Sequence, residues 1–422
     1  MRRIERAEPP VAVRRVAVDA RSDDHGSVRL RSTTLVLAAL LIVAACSGSD
    51  DAGSSAATTD VAVTTVPGPA TDPTTTTTDS TEVAATPDTS SSSQAPASTE
   101  VVPVGDWIAI PGGDDCRCSD GSPFEVWERP ADPTKVMLFF QGGGACFSAE
   151  TCGPGSETFT RNLDLGAAPD FGGIFDATNP ENPLADHSIV YVPYCTGDVH
   201  LGDSTTEYSD TVVIEHNGFA NARKGLDTVL ANYPDVEQLV VAGASAGSIP
   251  TPAFAGLAAD ELPGVDIVTF GDSSAAYPDV PDLNVAIGGL WGVLENVPDW
   301  PVNEGLTPQE WSFPGLYVQS GLQHPDITFA RFDHAFDQVQ AGFAALAGIA
   351  ADDLVAFIDR TETDIEAEGV PIASYVAPGD SHTIVLQDGF YDMEVDGIRL
   401  VDFLATLVGG DVPPDVHCTV CN

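Results

Sequence analysis

The sequence predicts an α/β fold in which a mainly parallel central sheet is covered by helices on both faces. Two observations predict it. Short continuous apolar runs alternate with segments of helical periodicity, and most residues able to do chemistry directly follow the apolar runs. Uninterrupted apolar strands are typical of buried parallel sheets, and ligand sites in such sheets lie at the carboxyl ends of the strands. We therefore expect one site at that edge.

Six apolar runs are predicted as strands because each is short and most end at turn-forming residues. The first ends at the triplet Gly142-Gly143-Gly144 and the second at Pro193. The third leads into residues 243–247, which turn the chain into a helix. The predicted strands cover residues 136–141, 188–192, 238–242, 265–270, 315–320 and 372–377.

Three helices are predicted between and after these strands. Residues 219–233 carry apolar side chains at helical spacing, and Pro234 ends the helix. A second helix runs from the turn at residues 243–247 to about residue 262. A third covers residues 398–408 and ends at two glycines.

The amino-terminal 45 residues are predicted to be an export signal. Eight of the fifteen arginines precede an apolar run, residues 35–45, that is too short to span a bilayer. Small residues then precede Cys46 and resemble a bacterial lipobox, which predicts diacylation of Cys46 and a protein tethered to the outer face of the cell membrane. The alternative is an ordinary secretory signal with an incidental cysteine. Val28 is an alternative start of the chain.

Two further segments follow the signal. Residues 46–103 consist almost entirely of Ser, Thr, Ala, Asp, Pro and Val, a composition that cannot bury enough apolar surface to fold, so they are predicted to be a disordered linker. Residues 104–422 are predicted to form a single folded domain.

The charge of the chain excludes some partners. Its formal net charge is −46 and it contains only two lysines, Lys135 and Lys224. Such a chain repels nucleic-acid phosphates and acidic membrane surfaces. We expect a monomer that binds a small-molecule or polysaccharide substrate, does not bind nucleic acid, and meets the membrane only through its lipid.

The cysteines indicate an oxidising compartment. If Cys46 carries lipid, seven remain, so one thiol is free or intermolecular, and the connectivity is ambiguous. The favoured local pair is Cys146 with Cys152. The spacing of His417, Cys418 and Cys421 also permits a zinc site, an alternative that we do not favour. The remaining cysteines are Cys116, Cys118 and Cys195.

A serine at the predicted strand-to-helix turn is the candidate nucleophile. Ser245 is the centre of Gly243-Ala244-Ser245-Ala246-Gly247, and small flanking residues let such a turn expose the hydroxyl above the sheet edge. A plain turn is the alternative, because short Gly/Ser/Ala stretches are common in loops.

A serine hydroxyl needs a histidine base, which in turn needs a carboxylate to orient it. In sheets of this topology both follow the serine along the chain. His382 is the preferred base because it follows the predicted strand 372–377. Its alternative is a surface histidine in a polar turn. His334 is expected in a helix, and His417 lies among the terminal cysteines.

The candidate acid is Asp326, which follows the predicted strand 315–320. Its alternative role is a helix N-cap. Asp272, at the end of another predicted strand, is the rival. Asp333 and Asp337 lie further along, in a segment expected to be helical.

Backbone N–H groups are expected to stabilise an oxyanion. The candidates are Gly143 and Gly144 after the first strand, and Ala246 after the serine. No cofactor or metal is expected. Asp198, His200 and Asp203 are interpreted as pocket wall rather than metal ligands, and residues 216–218 as a helix cap.

Taken together, these motifs resemble the pectin acetylesterase family of carboxylesterases. The motifs are Phe140 to Cys146, Cys152, Pro193 to Asp198, residues 243–247 and Ser381-His382-Thr383. The resemblance implies an α/β-hydrolase fold, a Ser245, His382 and Asp326 triad, the Gly143, Gly144 and Ala246 oxyanion donors, and a Cys146 to Cys152 disulfide.

The chain departs from many relatives at two positions. Gly144 stands where they have tryptophan, and Ser248 where they have glycine, so a wider pocket entrance is expected. The resulting hypothesis is a serine carboxylesterase that cleaves acyl esters, acetyl esters of polysaccharides such as pectin being the first choice. A lipid or protein O-deacylase and a catalytically silent polysaccharide-binding lipoprotein are the alternatives.

Overall fold

The computed structural model describes residues 103–349 and 353–421. The predicted signal peptide, the predicted lipidation site Cys46 and the predicted linker, apart from residue 103, lie outside the described residues.

A nine-stranded sheet forms the centre of the domain. Its strand order is β1-β2-β4-β3-β7-β8-β9-β10-β13. The seven strands from β4 to β13 in this order are parallel to their neighbours, and β1 and β2 add antiparallel pairs at one edge. Two hairpins, β5-β6 and β11-β12, lie outside the sheet. The strands are β1 Ile108–Pro111, β2 Glu125–Arg129, β3 Asp132–Phe140, β4 His187–Val192, β5 Ser204–Ser209, β6 Val212–His216, β7 Gln238–Ala244, β8 Asp266–Asp272, β9 Thr328–His334, β10 Ile372–Ala377, β11 Glu394–Val395, β12 Ile398–Arg399 and β13 Val416–His417.

Helices cover both faces of this sheet, as the sequence predicted. Alternate side chains of a strand point to opposite faces, so Leu138 belongs to a core with residues of α1, α2 and α4, whereas Phe139 belongs to a core with residues of α8. The helices are α1 Gly218–Asn232, α2 Thr251–Glu261, α3 Pro281–Trp291, α4 Phe313–Gln323, α5 Gln338–Leu346, α6 Leu354–Ala367, α7 Gly389–Asp392 and α8 Leu400–Val408.

Most predicted elements are confirmed. Five of the six predicted strands overlap β3, β4, β7, β8 and β10, and the three predicted helices overlap α1, α2 and α8. The predicted turn at residues 243–247 is also present, because β7 leads into the 3-10 helix Ser245–Gly247.

The strand predicted over residues 315–320 is wrong. These residues lie within helix α4, which Ser312 caps by accepting a hydrogen bond from the Gly315 N–H at 3.1 Å. A short apolar run does not distinguish a buried strand from a buried helix. The cap and Pro314 in the first turn were the local signals for a helix.

The strand that the sequence analysis missed is β9. Its side chains from Phe329 to His334 are all buried, although Arg331, Asp333 and His334 are polar. Charged residues interrupted the apolar pattern on which the strand predictions depended. His334, expected in a helix, is therefore the last residue of a central strand.

Candidate active site

Ser245 lies at a strained turn on the carboxyl edge of the sheet. Its φ is 55°, in the left-handed region that residues other than glycine seldom adopt. Two glycines allow the turn to be this tight. A Cβ atom on Gly243 would lie 2.0 Å from the Gly247 carbonyl oxygen, and one on Gly247 would lie 2.1 Å from the carbonyl oxygen of Phe140. The flanking glycines are therefore steric requirements of the turn that presents the serine.

His382 connects Ser245 to a buried carboxylate. Its Nε2 lies 2.7 Å from Ser245 Oγ, and its Nδ1 lies 2.7 Å from Asp337 Oδ2. The histidine side chain is 20% exposed and the Asp337 side chain is fully buried. Because a carboxylate only accepts hydrogen bonds, Nδ1 carries the proton and Nε2 is left to accept from the serine hydroxyl. This is the arrangement of a nucleophile, a base and an orienting acid.

Asp326, the acid chosen from the sequence, is not part of this arrangement. It is exposed in the turn between α4 and β9, at the amino end of the strand, whereas His382 lies at the carboxyl edge of the sheet. The choice required residues 315–320 to be a strand. Since they form a helix, the carboxylate that follows the next strand is Asp337, three positions after β9 ends.

Asp337 is held by the start of helix α5. It is the N-cap residue, and its Oδ1 accepts hydrogen bonds from the N–H groups of Val339 at 2.9 Å and Gln340 at 3.0 Å. The side-chain amide of Gln340 lies 3.2 Å from the other oxygen, Oδ2. These donors hold the carboxyl group in place at the start of the helix. The sequence analysis assigned no role to Gln340.

Asp333 is a second buried carboxylate behind Asp337. Its Oδ1 accepts from the Ala275 N–H at 3.0 Å and from the Gln340 amide at 2.8 Å. Burial raises the pKa of Asp333 to about 7, although the nearby Arg331 guanidinium opposes this shift. The Gln340 amide therefore bridges two carboxylates, of which only Asp337 contacts the base.

Asp272, the rival acid, positions the loop that carries His382. Its Oδ2 accepts from the backbone N–H groups of residues 384–385 at 2.8 and 3.0 Å. Its Oδ1 accepts from Ser273 Oγ at 2.8 Å, and that hydroxyl accepts from the Thr383 N–H at 3.1 Å. Burial raises the pKa of Asp272.

The glycine-rich loop after β3 lies directly against the serine. A Cβ atom on Gly142 would lie 2.8 Å from Ser245 Cβ. Gly143 and Gly144 have φ values of 155° and 77°, and among the described residues neither N–H group has a hydrogen-bond acceptor. Ala246 lies in the first turn of the 3-10 helix, where N–H groups lack intrahelical acceptors. All three predicted donors therefore lie close to the serine, and their N–H groups have no acceptor among the described residues.

The residues considered as metal ligands support this loop instead. His200 Nε2 donates to the Gln141 carbonyl oxygen at 2.8 Å, and burial lowers the pKa of this histidine to about 4, so its ring is neutral. Asp198 accepts from Thr196 Oγ1 at 2.6 Å, from the His200 N–H at 3.2 Å and from the Gly218 N–H at 2.8 Å. Burial raises the pKa of Asp198 to about 6.

The other candidate ligands also have structural partners. The backbone N–H of Asp203 donates to the Trp291 carbonyl oxygen at 2.8 Å. His216 Nδ1 donates to the Thr196 carbonyl oxygen at 2.9 Å. Asn217 is the N-cap residue of α1, as expected, but its side chain does not cap the helix. In the part of the chain that the structure describes, no three His, Cys, Asp or Glu side chains are arranged to hold a metal ion.

Three disulfides resolve the ambiguous connectivity. The favoured local pair is present, and it closes the segment that follows the glycine-rich loop. The pair near the carboxyl end takes both thiols that the zinc alternative required, whereas Cys116 is buried and unpaired among the described cysteines. The disulfides are Cys146–Cys152, Cys118–Cys195 and Cys418–Cys421.

An apolar pocket opens beside Ser245. It encloses about 790 Å³ of space free of protein atoms, part of it open to solvent. Ser245, Ala246 and Gly144 lie at one part of its wall. The remaining wall is almost entirely apolar and consists of Ala145, Phe147, Val199, Ile249, Tyr277, Pro278, Leu283, Asn284, Ile287, Trp291, Trp311, Phe313, Phe343, Ala347 and Ile349.

None of the described helices has the length and apolar character needed to cross a membrane.

Comparisons with known proteins show what the chain is similar to. A family model described as Pectinacetylesterase matches residues 108–285. Palmitoleoyl-protein carboxylesterase NOTUM of Schmidtea mediterranea is 28% identical over 156 residues, which cover 33% of this chain and 28% of that protein. Palmitoleoyl-protein carboxylesterase notum1' of Xenopus laevis is 30% identical over 172 residues, which cover 37% of this chain and 34% of that protein. The chain thus spans about a third or less of the length of these two relatives.

A solved structure shows the same fold over a longer stretch. The Wnt deacylase Notum from Drosophila superposes with a TM-score of 0.55 at 16% sequence identity, covering 76% of this chain and 97% of that chain. The family model includes the glycine-rich loop and Ser245, and it ends before Asp337 and His382. From this match, the similar relatives and the shared fold, we conclude that the chain belongs to the pectinacetylesterase family.

Proposed function

We propose that this protein is a serine carboxylesterase that cleaves acyl esters through Ser245, His382 and Asp337. The observation that carries the proposal is the unbroken chain of contacts from Ser245 Oγ through the His382 ring to Asp337, 2.7 Å at each step. A serine becomes nucleophilic when such a histidine accepts its proton.

The proposed reaction has two halves. Ser245 Oγ attacks the acyl carbon while His382 Nε2 takes the hydroxyl proton, and the carbonyl oxygen becomes an oxyanion that accepts from the N–H groups of Gly143, Gly144 and Ala246. When this tetrahedral intermediate collapses, the bond between the acyl carbon and the alcohol oxygen breaks, and the alcohol leaves with the proton from His382. Water then attacks the acyl-serine with His382 again acting as base, which releases the acid and restores the serine.

The pocket supports an acyl group longer than acetyl. Acetyl offers a single methyl group to bury, whereas the wall beside Ser245 is apolar over most of its extent. It includes six aromatic residues, Phe147, Tyr277, Trp291, Trp311, Phe313 and Phe343. Burying additional methylenes there is favourable by about 0.8 kcal/mol each. We therefore prefer a deacylase of fatty acyl esters. The two relatives named above are palmitoleoyl-protein carboxylesterases.

An acetylesterase is the second candidate because the matching family model is described as Pectinacetylesterase. The two candidates differ in one measurement. The kcat/KM of p-nitrophenyl acetate, butyrate, octanoate and palmitate should rise beyond acetate for a fatty deacylase and be highest at acetate for an acetylesterase.

The catalytic proposal is tested with a serine-directed phosphonate. The wild-type protein should hydrolyse p-nitrophenyl esters and acquire the phosphonate on Ser245, and Ser245→Ala should lose both. Ser381→Ala, a change at an exposed serine beside the base, is the matched control. A folded wild-type protein without turnover or adduct would refute the enzyme and favour the silent binding lipoprotein, whose polysaccharide binding Ser245→Ala would not alter.

We further propose that the protein acts outside the cytosol, anchored by lipid at Cys46. The disulfides support an oxidising compartment. Labelling of cells with an alkyne fatty acid should mark the wild-type protein and not Cys46→Ser. Equal labelling of both would remove the anchor from the proposal and leave the esterase intact.

A further inference from the structure

The pocket beside Ser245 and a second, mostly apolar space have one lining residue in common, Trp311. This second space, the second cavity, comprises about 400 Å³ free of protein atoms, part of it open to solvent. Among the described residues, Trp311 alone lines both spaces, and its side chain is almost fully buried, at 3% exposure. The two spaces therefore share one wall.

The second cavity is apolar for most of its surface. Its wall includes Phe219 and Leu257 from α1 and α2, Leu316 from α4, and Val293 and Trp300 from the segment after α3. The polar side chains on it include those of Gln319 and Ser320. The Ser320 hydroxyl is buried and has no hydrogen-bond partner among the described residues. Such a space is suited to hydrocarbon rather than to a sugar.

The indole is held firmly in place between the two spaces. The backbone N–H of Trp311 donates to the Thr307 carbonyl oxygen at 3.2 Å, which fixes the turn that carries it. Its ring packs edge-on against Phe313, with ring centroids 5.6 Å apart. Helix α3 also packs against the indole: a Cβ atom on Gly288 would be in ordinary van der Waals contact with it, at 3.7 Å. The ring is thus packed against both Phe313 and helix α3.

We propose that Trp311 sets the longest acyl chain that this enzyme accepts, by closing the pocket beside Ser245 against the cavity behind it. This inference rests on the proposed carboxylesterase function. An acyl chain bound at Ser245 extends along the apolar wall until it meets the indole. Every further methylene that finds a place raises kcat/KM by up to about fourfold, and a methylene that meets the fixed ring gains nothing. Removing the indole joins the two spaces and lets the chain continue.

The test is a chain-length profile on p-nitrophenyl esters from acetate to palmitate. The wild-type profile should rise with chain length and then break. In Trp311→Ala the break should move to longer chains, and the ratio of kcat/KM for palmitate to that for butyrate should increase by at least about tenfold, the gain from two buried methylenes. Trp311→Phe, which removes less volume and carries less risk to folding, should give an intermediate ratio.

Trp300→Ala is the matched control. Trp300 lines the second cavity and not the pocket beside Ser245, so this change enlarges the second cavity without joining it to the first. Its palmitate-to-butyrate ratio should equal that of the wild type, with circular dichroism confirming the fold of each variant.

The outcomes separate the two proposals. Turnover in the wild type with a profile that rises through palmitate without a break would overturn the role of Trp311 and leave the esterase standing, and so would an unchanged ratio in folded Trp311→Ala and Trp311→Phe. Absence of turnover on every ester would refute the esterase, and the role of Trp311 with it.

Discussion

The carboxylate that faces His382 is also the N-cap of helix α5. Asp337 Oδ2 lies 2.7 Å from His382 Nδ1, while Asp337 Oδ1 accepts from the N–H groups of Val339 and Gln340. One oxygen therefore orients the base and the other begins a helix. This division fixes the carboxylate in place independently of the histidine, which is the preorganisation that a triad acid needs.

The first prediction follows from the two roles of Asp337. Asn is about as good an N-cap as Asp, so Asp337→Asn should keep the fold but present an amide to the base, and kcat should fall by about 10³- to 10⁴-fold. Asp326→Asn, the same change at the exposed aspartate first chosen from the sequence, should retain wild-type kcat. Steady-state kinetics on a p-nitrophenyl ester measure both. Loss of activity in Asp326→Asn with activity retained in Asp337→Asn would reverse the assignment.

The sequence was sufficient for the parts of the site that small local motifs specify. Ser245 and the glycine-rich loop each follow directly after an apolar strand and contain turn-forming residues. Their position in the sequence therefore already indicated that they lie at the edge of the sheet. His382 was accessible in the same way because β10 is apolar apart from Ser374.

The acid could not be found by the same reasoning because β9, the strand before it, contains charged residues and lacks a continuous apolar pattern. Arg331 is buried in β9, where it donates to Ser374, Thr361 and the Ile358 carbonyl oxygen and lies 3.5 Å from the Glu362 carboxylate. These partners are all distant from Arg331 in the chain. Tertiary partners of this kind decide where a charged residue lies and leave no local pattern. The disulfides are a similar case, since Cys118 and Cys195 are brought together by the fold.

The second prediction concerns Gly144, where many relatives are expected to have tryptophan. Its φ is 77°, and a Cβ atom there would lie 1.9 Å from the Thr158 carbonyl oxygen. Any side chain must therefore displace the loop that carries the proposed oxyanion donors. Gly144→Ala should lower both the melting temperature and kcat/KM, the latter by at least about tenfold, a cost of ~1.4 kcal/mol.

Gly166→Ala is the control that distinguishes the steric clash with Thr158 from the cost of a side chain at positive φ. Gly166 has a similar φ of 80°, and a Cβ atom there would meet nothing within 4 Å. This control should cost only the left-handed conformation, ~1–2 kcal/mol of stability, with kcat/KM unchanged. Equal activity losses in the two variants would contradict the role of the loop.

The third prediction concerns the anchor of the histidine loop. Asp272 Oδ2 accepts two backbone N–H groups, so Asp272→Asn turns an acceptor into a donor at one of its two oxygens. The loop should loosen, kcat should fall more than KM changes, and the amides of residues 384–385 should exchange hydrogen faster. Asp266→Asn, at the exposed amino end of the same strand, should change neither measurement. Unaltered exchange in Asp272→Asn would show that the loop is held by other contacts.

The fourth prediction concerns the pH dependence of stability, through Asp333. In the unfolded chain an aspartate titrates near pH 3.9, whereas burial raises the pKa of folded Asp333 to about 7. Between these values the folded protein holds a proton that the unfolded chain has lost. The contribution of Asp333 to stability therefore falls as the pH rises from about 4 to about 7, and it is constant above that range.

Asp333→Asn removes this titration while keeping an oxygen that can accept from the Ala275 N–H and the Gln340 amide. The melting temperature of the variant minus that of the wild type should therefore be more positive at about pH 8 than at about pH 4.5. Asp198 and Asp272, whose pKa values are also raised by burial, are present in both proteins, so their contributions cancel in the difference. Asp326→Asn, the same change at an exposed aspartate, is the matched control. The prediction fails if the melting-temperature difference for Asp333→Asn is equal at the two pH values or larger at the acidic one. Asp333 would then be ionised in the folded protein at neutral pH, and the Gln340 amide would bridge two negative charges.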